Sequence, residues 1–283
     1  MMMEQMTVDN LIAIALKEDI GDGDHTTLAT IPDGVRGAVR LLVKEDGILA
    51  GVEVAQLIYR QFDPSMVMNI LIQDGTAVKK GDIAFIVEGP ERSLLTTERL
   101  VLNFMQRMSG IATETHKYVE CLQGLNTKIL DTRKTTPNMR WFEKMAVRIG
   151  GGENHRMGLY DMIMIKDNHV DFSGGIANAI HTTKKYLEAI GKDLKIEIEV
   201  RNFTELDEVI ATGGVDRIML DNFNPRDLKK AVAVIGECYE TEASGGITYS
   251  NIREYAECGV DYISVGALTH QIKSLDLSLK AVV

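Results

Sequence analysis

Apolar positions along this chain change rhythm twice. Residues 8–18, "VDNLIAIALKE", group Leu11, Ile12, Ile14, Ala15 and Leu16 on a face and predict a helix. Between residues 36 and 89, "GAVRLLVKEDGILAGV", "MVMNILIQDGTAVKKGD" and "IAFIVEG" read as short strands broken by Asp-Gly and Gly-Asp turns. "EVAQLIYRQF" between them reads as a helix, so this part predicts a small α+β layer with helices against one sheet. After Gly89-Pro90, Leu94, Leu95, Val101, Leu102, Met105 and Met108 recur at helical spacing. Ser109-Gly110 is expected to interrupt that helix, which places a domain boundary at about residues 110–116.

The remainder is strand-like runs separated by helical stretches: "KILDT", "MIMIK", "KIEIEV", "RIMLD", "YETEAS" and "YISVG". The last four end near Glu199, Asp221, Ser244 and Gly266, a step of about 22 residues that fits one strand, one helix and two loops. Such alternation implies parallel strands with right-handed crossovers. Six units suggest an incomplete α/β barrel, with an open doubly wound sheet as the rival. The expected organisation is therefore an N-terminal α+β, sandwich-like domain over residues 1–112 and an α/β barrel of about six parallel strands over 113–272. The closing "LDLSLKAVV" alternates Leu275, Leu277 and Leu279 with polar residues, and residues 273–283 are expected to return as a strand to the first domain's sheet.

Composition narrows the function classes. The 283 residues are 45% hydrophobic and 25% charged, which suits one large or two ordinary globular domains. A net charge of -10 argues against nucleic-acid binding, which needs a basic face. No apolar run is long enough for a membrane helix, and the start "MMMEQMTVDN" lacks the pattern of a secretory leader, so a cytoplasmic protein is expected. Cys121, Cys238 and Cys258 form no paired spacing and read as reduced thiols. "DIGDGDHTT" has the acids of a calcium loop, but the twelfth position from Asp19 is Thr30 rather than Glu, so a polar turn is the better reading.

Charge is distributed unevenly. Residues 133–166 hold seven Arg or Lys and three acids, a local +4 in an acidic chain, which points to an anionic small molecule. In a barrel the working face carries the C-terminal strand ends. Those ends deliver Arg133 and Lys134, Lys166, Glu199, Asp221, the Ser244-Gly245-Gly246 group and Gly266. Arg133 and Arg156 are suited to gripping a carboxylate or phosphate bidentately. Arg140, Lys144 and Arg148 lie at i, i+4 and i+8, where a solvated helix face is as good a reading as a ligand site. Gly150-Gly151-Gly152 beside Asn154, His155 and Arg156 looks like a mobile binding loop. His155 and His169 lack a third ligand by spacing, so hydrogen bonding to an anion or ring nitrogen is the stronger use of His155. The glycine junctions "ASGGI" and "SVGAL" suit phosphate at helix N-termini. Glu199 and Asp221 suit a divalent cation or ribose hydroxyls.

Together and in order, "DTRKTTPNMR", "GGGENHRMGLYDMIMIKDNH", "EIEV", "MLDNF", "EASGGI" and "ISVGALTH" resemble quinolinate phosphoribosyltransferase. "TERLVLNFMQRMSGIAT" and "EDIGDGDHTT" resemble its N-terminal part. One departure is Asn138, where the family pattern has Gly; Asn tolerates left-handed backbone better than most residues. The resemblance implies the reaction of quinolinate with phosphoribosyl pyrophosphate, giving nicotinate mononucleotide, carbon dioxide and pyrophosphate. It implies Mg2+ held near Glu199 and Asp221, no organic cofactor, and a homodimer or dimer-based hexamer with active sites at the interface. By position it implies that Thr132, Arg133, Lys134, His155, Arg156 and Lys166 line the quinolinate and phosphate pockets. Arg99 would reach in from a neighbouring subunit, Glu199 and Asp221 would meet ribose and metal, and Ser244, Gly245, Gly246 and Gly266 would hold the 5'-phosphate. Lys134, Lys166, Glu199 and Asp221 are the implied catalytic set. Rival readings are a Schiff-base aldolase using Lys166, a related transferase-like protein of metal-uptake gene clusters, and an anion-binding regulatory module.

Overall fold

Each of the six late apolar runs forms a strand, and the six make one parallel sheet. The structure, a computed structural model, describes residues 2–282. In chain order its elements begin with α1 (Met2–Ile20), α2 (His25–Thr30), β1 (Arg36–Val43), β2 (Gly47–Ile48), α3 (Val52–Phe62), β3 (Val67–Ile70), β4 (Ala77–Val78), β5 (Ile83–Pro90) and α4 (Glu91–Cys121). There follow β6 (Lys128–Leu130), α5 (Arg140–Ile149), β7 (Ile163–Ile165), α6 (Asp167–Ser173), α7 (Ile176–Ile190) and β8 (Ile196–Val200). The chain continues with α8 (Phe203–Thr212), β9 (Arg217–Asp221), α9 (Pro225–Ile235), β10 (Glu240–Ser244), α10 (Ile252–Ala256), β11 (Tyr262–Ser264), α11 (Ala267–His270) and β12 (Leu277–Ala281).

Two compact units result. One comprises the chain up to His116, Thr135–Gly151 and the chain from Leu268; the other comprises Lys117–Lys134 and Gly152–Ala267. The division is not a single cut near residue 112, because α5 clusters with the first unit. The first unit is built on an antiparallel sheet ordered β12-β1-β5-β3. The closing strand pairs with β1 from Val39↔Ala281 to Val43↔Leu277. Alternation buries Val39, Leu41 and Val43 of β1 with Leu277 and Leu279 of β12. Helix α4 does not break at Ser109-Gly110. Ser109 Oγ instead satisfies the backbone N–H and carbonyl of Ala50 at 2.9 and 3.0 Å. A Cβ on Gly110 would collide with the Lys273 carbonyl, so the glycine permits close packing rather than ending the helix. Helix α5 packs Phe142 edge-on to Phe104, at 4.7 Å between ring centroids. Its Glu143, fully buried, accepts from Arg107 Nε at 2.8 Å, and Lys144 is fully buried too. The solvated-face reading therefore does not hold for Lys144. The polar stretch at residues 19–27 leads into the short helix α2, capped by Asp24, which accepts from the Thr27 N–H at 3.0 Å.

The second unit runs in the order β6-β11-β10-β9-β8-β7. Strands β7 to β11 follow sequence, and β6 then joins β11. This is barrel order left open between β6 and β7, with no reversal point of the kind a doubly wound sheet has. Residues after Gly152 line the β6 side of that seam: Glu153 bridges Leu130, its N–H donating to the Ile129 carbonyl at 2.8 Å. The intervening helices are sharply delimited. Asn202 and Asn224 cap α8 and α9, each cap being worth about 1 kcal/mol.

Candidate active site

Parallel register sorts the strand residues into tiers on one face of the sheet. Side chains alternate, so residues two apart share a face. Register pairs Glu197 with Arg217, Glu240 with Arg217, Glu242 with Met219 and Ser244 with Asp221. It also pairs Met164 with Glu197, Tyr262 with Glu242 and Lys128 with Tyr262. At the C-terminal ends of the strands this face presents Thr132, Lys166, Glu199, Asp221, Ser244 and Gly266. Two residues back along each strand lie Leu130, Met164, Glu197, Met219, Glu242 and Ser264. Four back are Lys128, Arg217, Glu240 and Tyr262, and the stagger of the strands puts Glu197 level with Arg217 and Glu242 level with Tyr262.

The rim carries interacting charge. Lys166 Nζ lies 3.6 Å from Glu199 Oε2. Burial raises the Glu199 carboxyl above its ordinary range, Lys166 opposes that, and the like charges of Asp221 and Asp167 add to it. Asp221 is likewise raised by burial, against the hydrogen bond from Asn222 Nδ2 at 2.5 Å and the pull of Lys166 and Lys134. Arg156 is half-buried, and burial followed by the charge of Arg133 lowers its pKa. The two arginines thus repel each other, and so do the acids. Glu199 and Asp221 are carboxyls within electrostatic reach of each other and of Asp167, and their oxygen chemistry suits a hard divalent cation. Arg133 and Lys134 are exposed, and Thr132 Oγ1 accepts the Lys134 N–H at 3.0 Å. Lys166 is half-exposed, unlike the desolvated lysine a Schiff base requires.

The glycine group after β10 is a loop rather than the start of a helix, since α10 begins only at Ile252. Gly245 and Gly246 have φ of 92° and 64°, and a Cβ on Gly245 would collide with the Asn222 side chain. Asn222, itself left-handed at φ 57°, donates its N–H to the Ser244 carbonyl at 2.8 Å. The ends of β9 and β10 are locked together this way. Gly266 precedes α11, a single turn of four residues. Asn138 is left-handed at φ 63°, the conformation that explains how it replaces Gly. Arg99 is exposed on α4.

The triple glycine is a tight junction. A Cβ on Gly150 would collide with the Ala112 carbonyl, and Gly151 turns left-handed at φ 94°. Beyond it, Asp131, fully buried, accepts from His155 N–H at 2.9 Å and Asn154 Nδ2 at 2.6 Å. The segment is held rather than loose. His155 is buried; its Nδ1 accepts the Arg156 N–H at 2.6 Å, and its Nε2 lies 3.0 Å from Glu197 Oε2 and 3.6 Å from Glu242 Oε2. His169 caps α6, accepting the Lys166 N–H at 2.9 Å.

Sequence reasoning missed the tier beneath the rim. Burial pushes Glu197 up to about 7, with Arg217 opposing; burial and then the Glu197 charge push Glu242 up to about 8. Arg217 reaches Glu242 Oε2 at 3.1 Å and Glu240 Oε2 at 3.0 Å, its guanidinium 4.0 Å from the Tyr262 ring centroid. The available signal was alternation: "KIEIEV" and "ETEAS" each place a second glutamate two residues before the strand end. A cavity of ≈ 350 Å³ also opens beside β7, lined by Arg156, Met162, Met164 and His169 among others. It includes none of the rim carboxylates, so it is not by itself a reaction centre.

Comparison with known proteins fixes the family. Residues 24–109 match the N-terminal domain of quinolinate phosphoribosyl transferase and residues 111–280 its C-terminal domain. A tobacco (Nicotiana tabacum) protein, "quinolinate phosphoribosyltransferase [decarboxylating] 1b", is 45% identical over 95% of this chain and 81% of its own length. The Bacillus subtilis "probable nicotinate-nucleotide pyrophosphorylase [carboxylating]" is 42% identical over 98% and 94%. Among solved structures, NadC from Streptococcus pyogenes superposes with a TM-score of 0.92 at 40% identity, covering 98% of each chain. A rice relative is named chloroplastic and a second tobacco relative mitochondrial. The chain belongs to the quinolinate phosphoribosyl transferase family.

Proposed function

We propose that this protein transfers the phosphoribosyl group of phosphoribosyl pyrophosphate to quinolinate with decarboxylation, yielding nicotinate mononucleotide for NAD biosynthesis. The observation that carries the reading is the rim itself: two mutually repelling arginines, two lysines and a pair of acids on adjacent strands. A pyridine diacid relieves the arginines, since each guanidinium has a carboxylate to grip. The ring nitrogen attacks the anomeric carbon as the bond to pyrophosphate breaks. Positive charge grows on the ribose, and Glu199 is placed to stabilise it. Lys134 and Lys166 offset negative charge on the departing pyrophosphate. The bond from ring carbon to one carboxylate breaks with its electrons held by the pyridinium, carbon dioxide leaves and the carbon takes a proton, so no organic cofactor is needed.

Glu199 and Asp221 would hold Mg2+, with Asp167 beside them; when bound, the ion neutralises phosphate charge. Ser244, Gly245, Gly246 and Gly266 offer backbone N–H groups to the 5'-phosphate, and Thr132 lines the same rim. Arg99 completes the pocket from a neighbouring subunit in a homodimer or a dimer-based hexamer. A cytoplasmic setting is supported by three free cysteines and by the absence, among the described residues, of any helix long and apolar enough to cross a membrane. The test is direct: supply quinolinate, phosphoribosyl pyrophosphate and Mg2+, and follow nicotinate mononucleotide. Binding of quinolinate without turnover would return the protein to the class of anion-binding modules.

A further inference from the structure

The tier below the rim is the least expected part of the second unit. Barrel interiors are ordinarily filled by Val, Ile and Leu. Here Glu197 and Glu242 occupy the interior face, both fully buried. Neither touches the rim acids' work directly, and burying two carboxyls demands compensation. Compensation comes from two directions. Arg217 reaches Glu242 from the base at 3.1 Å, and His155 reaches Glu197 from the seam at 3.0 Å.

The imidazole is constrained at both nitrogens. Nδ1 accepts the Arg156 N–H at 2.6 Å and therefore carries no proton. The ring proton is on Nε2, which faces the two carboxyls. Asp131 fixes the same segment from its other side through the His155 N–H and Asn154. His155 is thus held through Nδ1, its Nε2 stands at ion-pair distance from two carboxyls without a hydrogen bond to either, and the backbone N–H it accepts belongs to Arg156, whose guanidinium feels the charge of Arg133. We infer that Glu197 and Glu242 are positioning residues that orient the His155 imidazole and, through it, set Arg156 for the diacid. This rests on the reading of Arg156 as a quinolinate ligand.

A cation is the rival occupant, because the ligand atoms of His155, Glu197 and Glu242 lie within 4.8 Å of one another. Charge favours the imidazole alone. Burial raises both Glu197 and Glu242 toward their protonated forms, which the imidazole tolerates and a divalent cation would have to deprotonate.

The experiment compares Glu197→Ala, Glu197→Gln and Arg156→Ala for thermal midpoint and for the KM of each substrate. Glu197→Ala is expected to raise the quinolinate KM about tenfold, as small misplacements of a binding group do, while the phosphoribosyl pyrophosphate KM stays within about twofold. Glu197→Gln keeps an acceptor for Nε2–H and should recover much of that loss; if the alanine variant does not fold, the glutamine variant and Glu242→Gln carry the test through smaller shifts of the same KM. A lowered midpoint with both KM values unchanged makes the carboxyls merely structural and overturns the inference. So does a stoichiometric divalent metal that the purified parent holds and that Glu197→Ala and Glu242→Gln lose. If Arg156→Ala itself leaves the quinolinate KM unmoved, the assigned pocket fails instead, and the two failures are told apart.

Discussion

Strands β8, β9 and β10 each carry two kinds of polar residue on one face, two or four positions apart. At the rim, Glu199, Asp221 and Ser244 are half-buried and have charged neighbours that a ligand can replace. One or two steps down, Glu197, Arg217 and Glu242 are buried and engage each other and His155. The residue types are similar, but the surroundings differ. Water and substrate can compensate a rim group when its partner is removed, whereas a buried charge has only the protein. Rim substitutions should therefore cost activity, and interior ones should cost stability first.

Arg217→Met gives the largest expected effect. It strips the cation from the Glu240 carboxylate and leaves the buried Glu242 carboxyl without its hydrogen bond, and losing one partner of such a buried group costs about 3–5 kcal/mol. Pairing it with Glu242→Met should restore part of the loss, measured by denaturant unfolding, because no uncompensated carboxyl then remains at that position. Equal stability of the single variant and the parent would erase the distinction between the tiers. Arg156→Ala tests the other side of the comparison. Turnover should fall about 100-fold or more, while stability shifts by about 0.5 kcal/mol or less. Normal kinetics in that variant would remove the rim's claim to the substrate.

Gly245→Ala sharpens the comparison at the phosphate end. Its φ of 92° and the clash with Asn222 mean that an alanine must push the ends of β9 and β10 apart. A loss of about 1–2 kcal/mol is expected, together with a higher KM for phosphoribosyl pyrophosphate rather than quinolinate. An unchanged KM for the sugar phosphate would detach this loop from the site.

What was legible in the sequence follows the same division. Strand ends are marked by a charge after an apolar run, so Lys166, Glu199 and Asp221 could be read as one rim. Parallel strands followed from the regular spacing, which left an incomplete barrel and a doubly wound sheet both open. Glu197 and Glu242 could not be read so easily, because a charge inside a strand normally signals solvent, and only a closed interior face reverses that meaning. Ser109-Gly110 misled for a related reason. A glycine in a helical pattern suggests a break, yet here it admits the Lys273 backbone, a contact more than 160 residues away in sequence. Lys144 shares a helix face with Arg140 and Arg148, and spacing alone does not say which end of that face the core covers. The triple glycine likewise looked loose until α4 was seen against Gly150.

A further prediction concerns pH. Glu242 is pushed up to about 8 by burial and by Glu197, whereas an unfolded glutamate titrates near its ordinary value of 4.5. Between those values the folded chain keeps a proton that the unfolded chain has lost. The stabilisation linked to that proton is complete below the unfolded value and is lost as pH rises through the folded one. Thermal midpoints taken from pH 5 to pH 9 should thus decline for the parent protein. Glu242→Gln, which cannot ionise, should decline less, although Glu197 leaves a residual slope because burial raises it too. Rim variants such as Asp221→Asn should track the parent more closely, since that carboxyl retains access to water and to Lys166 and Lys134. Parallel curves for the parent and Glu242→Gln would mean that the interior carboxyl is already ionised when folded, and the protein would then have to compensate two negative charges beside one arginine.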